Sequence, residues 1–198
     1  MRSLKDLVKR LVKPKPVREE QTMRWLVVGL GNPDRRYEHT RHNVGYMALD
    51  QIVDAWEPVT GVPAVIHIDG DVVFVRSRTY MNDSGLAVAP LAERFHVPAD
   101  HILVVHDELD LPSGTVRLKV GGSENGHRGL LSVTRELGTV AYPRVRVGIG
   151  RPAPGETVIQ HVLGPVEETF DAADVADAVR LVIEKGVVVA QNEVNRGQ

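Results

Sequence analysis

Apolar residues gather along this chain in short runs, separated by stretches in which they recur every three or four positions. The runs predict strands at 24–30, 64–68, 71–76, 101–106, 115–119 and 144–150. Helical spacing predicts helices over 43–56, 84–95, 127–138, 167–180 and about 181–192, with Asn82, Asp83 and Ser84 as capping residues for the second. Between the second and third strands stand Asp69 and Gly70, a strong short hairpin signal, so those two strands are antiparallel neighbours. Strands that alternate with helices, plus one hairpin, make a single α/β domain with a central mixed β-sheet and helices on both faces.

A further helical pattern precedes that domain. Leu4, Leu7, Val8, Leu11 and Val12 share one face and lysines and arginines the other, until Pro14 and Pro16 end the segment. Residues 1–22 are therefore read as a basic amphipathic extension, and residues 23–198 as the α/β domain. The extension carries seven basic and three acidic side chains, while the whole chain has 24 basic and 26 acidic ones, so the body from residue 23 onward is net −6. A body so acidic binds nucleic acid only through a local basic patch. Charges interrupt the apolar run of the extension, which does not read as a secretory signal. No stretch approaches the roughly 20 apolar residues of a membrane span, so no membrane association is expected. Cysteine is absent, which excludes disulfides, a thiol nucleophile and cysteine-ligated metals. A cytoplasmic location fits that composition.

The segment from Gly29 to Gly45 leaves the first strand and sets Asn32, His39, His42 and Asn43 in one loop before a helix, where site residues concentrate. Its glycines suggest a dinucleotide cradle, but the third glycine of that fingerprint is Asp34, and Pro33 removes an amide that a pyrophosphate would use. A tight turn that uses Gly29 and Gly31 is the plainer reading.

His106, Asp107, Glu108 and Asp110 follow the apolar run 102–105, at the strand edge where α/β sheets bind ligands. They suit a metal site, a carboxylate that orients a histidine, or a solvated charged loop; the metal reading is weakest because no ligand spacing such as H-E-x-x-H is present. Residues 121–126 have P-loop glycine spacing, yet His127 and Arg128 stand where lysine and serine or threonine belong. What survives is a glycine-rich loop running into a helix. Arg117 and Lys119 share a face of one strand, and Arg144 and Arg146 a face of another. Together they make either a positive stripe for a phosphodiester backbone or a set of surface ion pairs. Asn82 suits a helix cap, or an amide that both donates to and accepts from a peptide.

Taken together and in order, G-L-G-N-P at 29–33, T-R-H-N-V-G at 40–45, Y-M-N-D-S-G at 80–85, H-D-E-L-D-L-P-S-G at 106–114 and G-G-S-E-N-G-H at 121–127 resemble the bacterial peptidyl-tRNA hydrolase family. The resemblance spans about residues 24–193. It implies hydrolysis of the ester between a peptide and the 3′-terminal ribose of tRNA, with no cofactor and no metal. It also implies His42 as the base and Asp107 as the carboxylate that orients it. By the same resemblance Asn32 and Asn82 hold the peptide, Tyr37 and Met81 line its channel, and His127 holds the far side of the substrate. Lys119 and Arg146 match cations that clamp the tRNA 5′ phosphate, and Arg117, Arg144 and Arg128 are added as further tRNA contacts. Arg128 stands where the family usually has asparagine, in G-H-R-G for G-H-N-G. Arginine grips phosphate but accepts no hydrogen bond, so a non-catalytic RNA-binding protein on the same fold is the alternative. Peptidyl-tRNA is the expected partner and a monomer the expected state.

Overall fold

The computed structural model describes residues 22–167 and 170–196; the amphipathic helix expected at 4–12 lies outside the described residues. Seven strands form one sheet: β1 (Trp25–Gly29), β2 (Glu57–Pro58), β3 (Ala64–Asp69), β4 (Val72–Ser77), β5 (Ile102–Glu108), β6 (Val116–Val120) and β7 (Pro143–Gly148). Their order across the sheet is β2-β3-β4-β1-β5-β7-β6. β1 runs parallel to both β4 and β5, and β5 parallel to β7. The hairpin pair β3 and β4 is antiparallel, as are β2 with β3 and β6 with β7, so the sheet is mixed as expected.

Central strands read as near-continuous apolar runs because both their faces are covered. In β1, Leu26 and Val28 point into one core with Ala87, Val88, Leu91, Leu130 and Val133. Trp25 and Val27 point into the other, with Val44, Ala48, Leu49, Val175, Val179 and Val182. Helices α2 (Gly85–Arg94) and α3 (Arg128–Leu137) thus cover one face, and α1 (Val44–Leu49), α5 (Ala172–Lys185) and α6 (Val187–Arg196) the other. A short α4 (Val158–Val162), which the periodicity did not predict, carries a complete capping box between Thr157 and Gln160.

Three local expectations change. The helix foreseen at 43–56 is α1 alone; beyond it Asp50 accepts from the Trp56 indole and from Arg76, and the apolar positions Ile52 and Trp56 pack from turns instead. Asn82, Asp83 and Ser84 give α2 no side-chain cap, because the 3-10 turn Met81–Asp83 runs directly into it. The orphan amide of Gly85 is instead satisfied by Ser132 Oγ of α3 at 3.0 Å. Finally, the last two helices part at Gly186, whose φ of +79° stops α5, and not near residue 180.

Candidate active site

β1 and β5 are adjacent and parallel, so their carboxyl ends open side by side, and the chain leaves β4 and β5 on opposite sides of β1. A crevice forms at such a switch point. The loop after β1 and the last residues of β5 face each other across it. Close backbone approach makes this possible. A Cβ on Gly45 would lie 2.4 Å from the Val105 carbonyl oxygen and 2.6 Å from the Leu30 amide, and one on Gly29 would lie 2.5 Å from the Gly45 oxygen. A Cβ on Gly31 would lie 2.8 Å from the Tyr46 ring, and neither Gly29 nor Gly31 has positive φ, so their use is contact and not the tight turn read from the sequence.

That contact delivers His42, on the 3-10 turn Arg41–Asn43, to Asp107 of β5. His42 Nδ1 is 2.8 Å from Asp107 Oδ1 and 3.0 Å from Oδ2. His127 Nε2 approaches the same Oδ1 at 2.9 Å. Burial pushes the Asp107 carboxyl up, but His42 and His127 together hold it well below the usual carboxylate range. A carboxylate has no proton to give, so both imidazoles donate to it. This fixes the tautomer of His42: Nδ1 carries the hydrogen and Nε2 keeps its lone pair, with no partner among the described residues. His127 is tied at both ends, since it caps α3 by accepting the Leu130 amide on Nδ1 at 3.3 Å. Of the two, only His42 presents a free basic nitrogen. Burial pulls the His42 pKa down, yet the charge and hydrogen bonds of Asp107 outweigh it and leave the pKa raised.

His106, the neighbour in β5, packs edge-on against His127 with ring centroids 5.1 Å apart and donates from Nδ1 to the Asp107 carbonyl at 2.7 Å. Burial, then the proximity of His127, drives its pKa down to about 3, so it is neutral. His106, Asp107 and Glu108 are 2%, 3% and 6% exposed, which overturns the solvated-loop reading of this segment.

The ligand atoms of His42, Asp107 and His127 lie within 4.8 Å of one another, a grouping that three metal ligands also share. Here, however, one nitrogen of each imidazole sits at hydrogen-bond distance from the carboxylate, and metal ligation by those atoms would require both bridging protons to leave. The donor set as arranged suits proton transfer better than a metal.

Asn32 is buried beside this group. Its amide and carbonyl pair with the Asn43 side chain at 2.9 and 3.0 Å, which zips the loop to the turn that carries His42. Its Oδ1 accepts the Met81 amide at 2.8 Å, leaving Nδ2 without a protein partner among the described residues. Arg41 braces the same turn from the other side, through the His161 carbonyl and Glu167. The roles of Asn43 and Arg41 escaped the sequence reading; two polar residues flanking His42 in a glycine-bounded loop were the available signal. Met81 is itself buried, with its sulfur against the bare Cα of Gly129. Tyr37 is half-buried under the Arg36 guanidinium, and Asn82 is exposed.

Cross-strand register sets Arg117 opposite Arg146 and Lys119 opposite Arg144, so the four cations do share one face of the β6–β7 pair. Their environments differ. Lys119 and, at the start of α3, Arg128 are exposed. Arg146 pairs with Glu108 through Nε and Nη2, both at 3.0 Å. Arg117 is half-buried. Arg144 is 2% exposed and donates to the carbonyls of Gly122 and Ser123. It presents no charge to solvent, because the glycine loop folds over it, and in this position it makes no direct phosphate contact of the kind its spacing suggested.

The model of the family described as peptidyl-tRNA hydrolase matches residues 26–198. Peptidyl-tRNA hydrolase 2 of Corynebacterium glutamicum is 49% identical over 195 residues, covering 95% of both chains. That coverage takes in part of residues 1–22, beyond the reach of the motif resemblance. Peptidyl-tRNA hydrolase of Thermus thermophilus is 47% identical over 144 residues, 73% of this chain and 78% of its own. Among solved structures, peptidyl-tRNA hydrolase from Acinetobacter baumannii superposes with a TM-score of 0.77 at 33% identity, covering 89% of this chain and 97% of that one. The chain belongs to the peptidyl-tRNA hydrolase family.

Proposed function

We propose that this protein hydrolyses the ester between a peptide and the 3′-terminal ribose of tRNA, with water as the nucleophile and His42 as its general base. One observation carries the reading: His42 is held by the Asp107 carboxylate through Nδ1, with Nε2 free of any partner among the described residues. Water bound at Nε2 gives up a proton as its oxygen attacks the ester carbonyl. The imidazolium so formed is stabilised by Asp107, then returns the proton to the ribose oxygen as the ester C–O bond breaks. General-base catalysis of this kind contributes roughly 10²–10⁴-fold. No serine or threonine occupies a nucleophile setting such as G-x-S-x-G, which favours direct attack by water over a serine or threonine acyl intermediate.

The remaining assignments follow the geometry. Asn32 Nδ2 and the exposed Asn82 amide are available to the peptide carbonyls, and Tyr37, five residues after Asn32 in the same loop, flanks the peptide. Met81 acts from beneath, through the backbone amide that orients Asn32. His127 holds Asp107 against rotation and so keeps the His42 tautomer. Lys119 and Arg128 take phosphates of the acceptor end, joined by Arg146 through the Nη1 that its pair with Glu108 leaves open, and by Arg117 beside it.

His42→Ala tests the proposal: release of peptide from peptidyl-tRNA falls to background while tRNA binding stays within about twofold. Peptide release by the variant at the wild-type rate would defeat the assignment. Wild-type release in excess EDTA is expected to persist; its loss would favour a metal held by His42, Asp107 and His127.

A further inference from the structure

Arg144 is the largest fully buried side chain among the described residues. A charge taken so far out of water needs a reason. Its partners identify one. Nη1 donates to the Ser123 carbonyl at 3.0 Å and Nη2 to the Gly122 carbonyl at 3.1 Å, and the guanidinium carbon lies 4.7 Å from the Tyr142 ring centre. All of these bonds reach the glycine loop 121–126, whose Gly121, Gly122, Asn125 and Gly126 take positive φ. Such a loop has many shapes available, and the planar fork of arginine selects one in which two successive carbonyls converge.

Two consequences follow for the outer side of the loop. In a trans peptide the C=O of one residue and the N–H of the next point in opposite directions. With the carbonyls of Gly122 and Ser123 turned inward to Arg144, the amides of Ser123 and Glu124 turn outward, and neither has a partner among the described residues. Lys119 lies across the same loop: a Cβ on Gly122 would come within 2.8 Å of both its Cε and Nζ. The loop shape therefore fixes where that ammonium stands. Toward the site, the Glu124 carbonyl accepts the His127 amide at 2.8 Å, so the loop also sets the start of α3.

We infer that Arg144 is a positioning residue for RNA binding: it locks loop 121–126 so that Lys119 and the outward amides of Ser123 and Glu124 meet one phosphate together. This rests on the reading of the protein as a binder of tRNA. It assigns the buried arginine an action through the loop, in place of the direct contact its strand position suggests.

Salt dependence separates the two. Each cation that neutralises a phosphate releases counterions and steepens the fall of affinity with salt, by about 0.7–0.9 in the log–log slope. A backbone amide is uncharged and adds affinity without slope. Binding of 5′-phosphorylated tRNA is therefore measured across a salt series for the wild type, Lys119→Ala, Arg144→Met, Arg144→Lys, Gly122→Ala and each Arg144 variant combined with Lys119→Ala, below the melting temperature of each. Arg144→Met is expected to bind about tenfold or more weakly, the loss of at least one hydrogen bond to a charged oxygen; its slope falls by no more than that of Lys119→Ala, and adding it to Lys119→Ala, where the charge that the loop positions is already gone, leaves the slope unchanged. Arg144→Lys keeps the buried charge but not the fork, and serves if the methionine variant fails to fold; weaker binding, with no slope change when it is added to Lys119→Ala, is again expected. Gly122→Ala leaves the core intact but strains the loop at φ +91° and displaces the Lys119 ammonium, so it should weaken binding too. A slope reduced by about one further unit when either Arg144 variant is added to Lys119→Ala would mean direct contact and overturn the inference. So would wild-type affinity in a folded Arg144 variant or in Gly122→Ala. Failure of the wild type to bind tRNA at all would instead sink the functional reading beneath it.

Discussion

Asp107→Asn isolates what the carboxylate does for His42. The change is nearly isosteric at a residue 3% exposed, so shape is conserved while one charge and one acceptor are replaced by an amide. In the wild type, both imidazoles donate to Asp107. Asparagine offers one oxygen and one NH2 group: with its oxygen where both rings now meet Oδ1, its NH2 replaces the Oδ2 that also faces His42 Nδ1, and with the amide turned over the NH2 faces both rings. Where the NH2 faces His42, Nδ1 must accept, the proton moves to Nε2, and the lone pair that activates water is gone. Loss of the correct tautomer and of imidazolium stabilisation forfeits the general-base contribution, so kcat should fall about 10²–10⁴-fold, or roughly 3–5 kcal/mol in the barrier. The pH profile supplies an independent check. His42 works deprotonated, so activity is lost as pH falls through its pKa. Burial lowers that pKa and Asp107 raises it by more, giving a net upward shift from 6.5. Removing the charge leaves burial alone, and the acid limb of kcat/KM moves to lower pH. Single-turnover peptide release between pH 5 and 8 reads both quantities, with tRNA binding as the control for folding. An acid limb that stayed in place, or a rate within tenfold of wild type, would refute the pairing.

Three further outcomes follow from the structure. Lys119→Ala should weaken tRNA binding and flatten its dependence on salt by about 0.7–0.9 in the log–log slope, since Lys119 is exposed on the cationic face; an unchanged slope would remove it from the phosphate contacts. Arg128→Asn, at an exposed position beside His127, should loosen tRNA binding while raising the single-turnover rate at saturation; a slower rate would show that the arginine serves the reaction. His106 is buried neutral, with a pKa of about 3 against about 6.5 when unfolded. The unfolded state therefore binds one more proton between those values, and stability is lost as pH falls, by about 1.4 kcal/mol per unit. Denaturant titrations from pH 7 to 4 should show this slope shrink by about that amount in His106→Phe, and an equal slope in both proteins would refute it.

Patterning carried the fold well where both faces of an element are covered and poorly where a contact from elsewhere decides. β1 and β5 read as strands because their alternate residues enter two separate cores, which makes the whole run apolar. The end of α1 was misplaced because Ile52 and Trp56 keep helical spacing while packing from turns. Capping at α2 was misread for a similar reason: the acceptor for the Gly85 amide comes from Ser132, 47 residues away. Period-2 alternation put Arg144 on the correct face of β7, with Lys119 opposite. What it cannot report is whether that face is covered, and the glycine loop that covers it comes from between β6 and α3.

The site poses the same problem more sharply, since His42 and Asp107 are 65 residues apart and meet only because β1 and β5 are neighbours. Nothing local to either residue encodes that adjacency; motif order and the family resemblance supplied it. Local sequence does encode why the meeting is close. Glycine at 29 and 45 leaves the start of α1 free to lie against the ends of both strands, and a Cβ at either would press on backbone atoms, which cannot rotate away. The three histidines around Asp107 show the limit of composition as a guide to chemistry. His106 is desolvated into neutrality with its unpartnered Nε2 buried, and His127 is spent on a helix cap and the carboxylate, while His42 combines a free nitrogen with a carboxylate that raises its basicity. Residue type is identical in all three, so the base is chosen by where each second nitrogen points, a property of the folded chain.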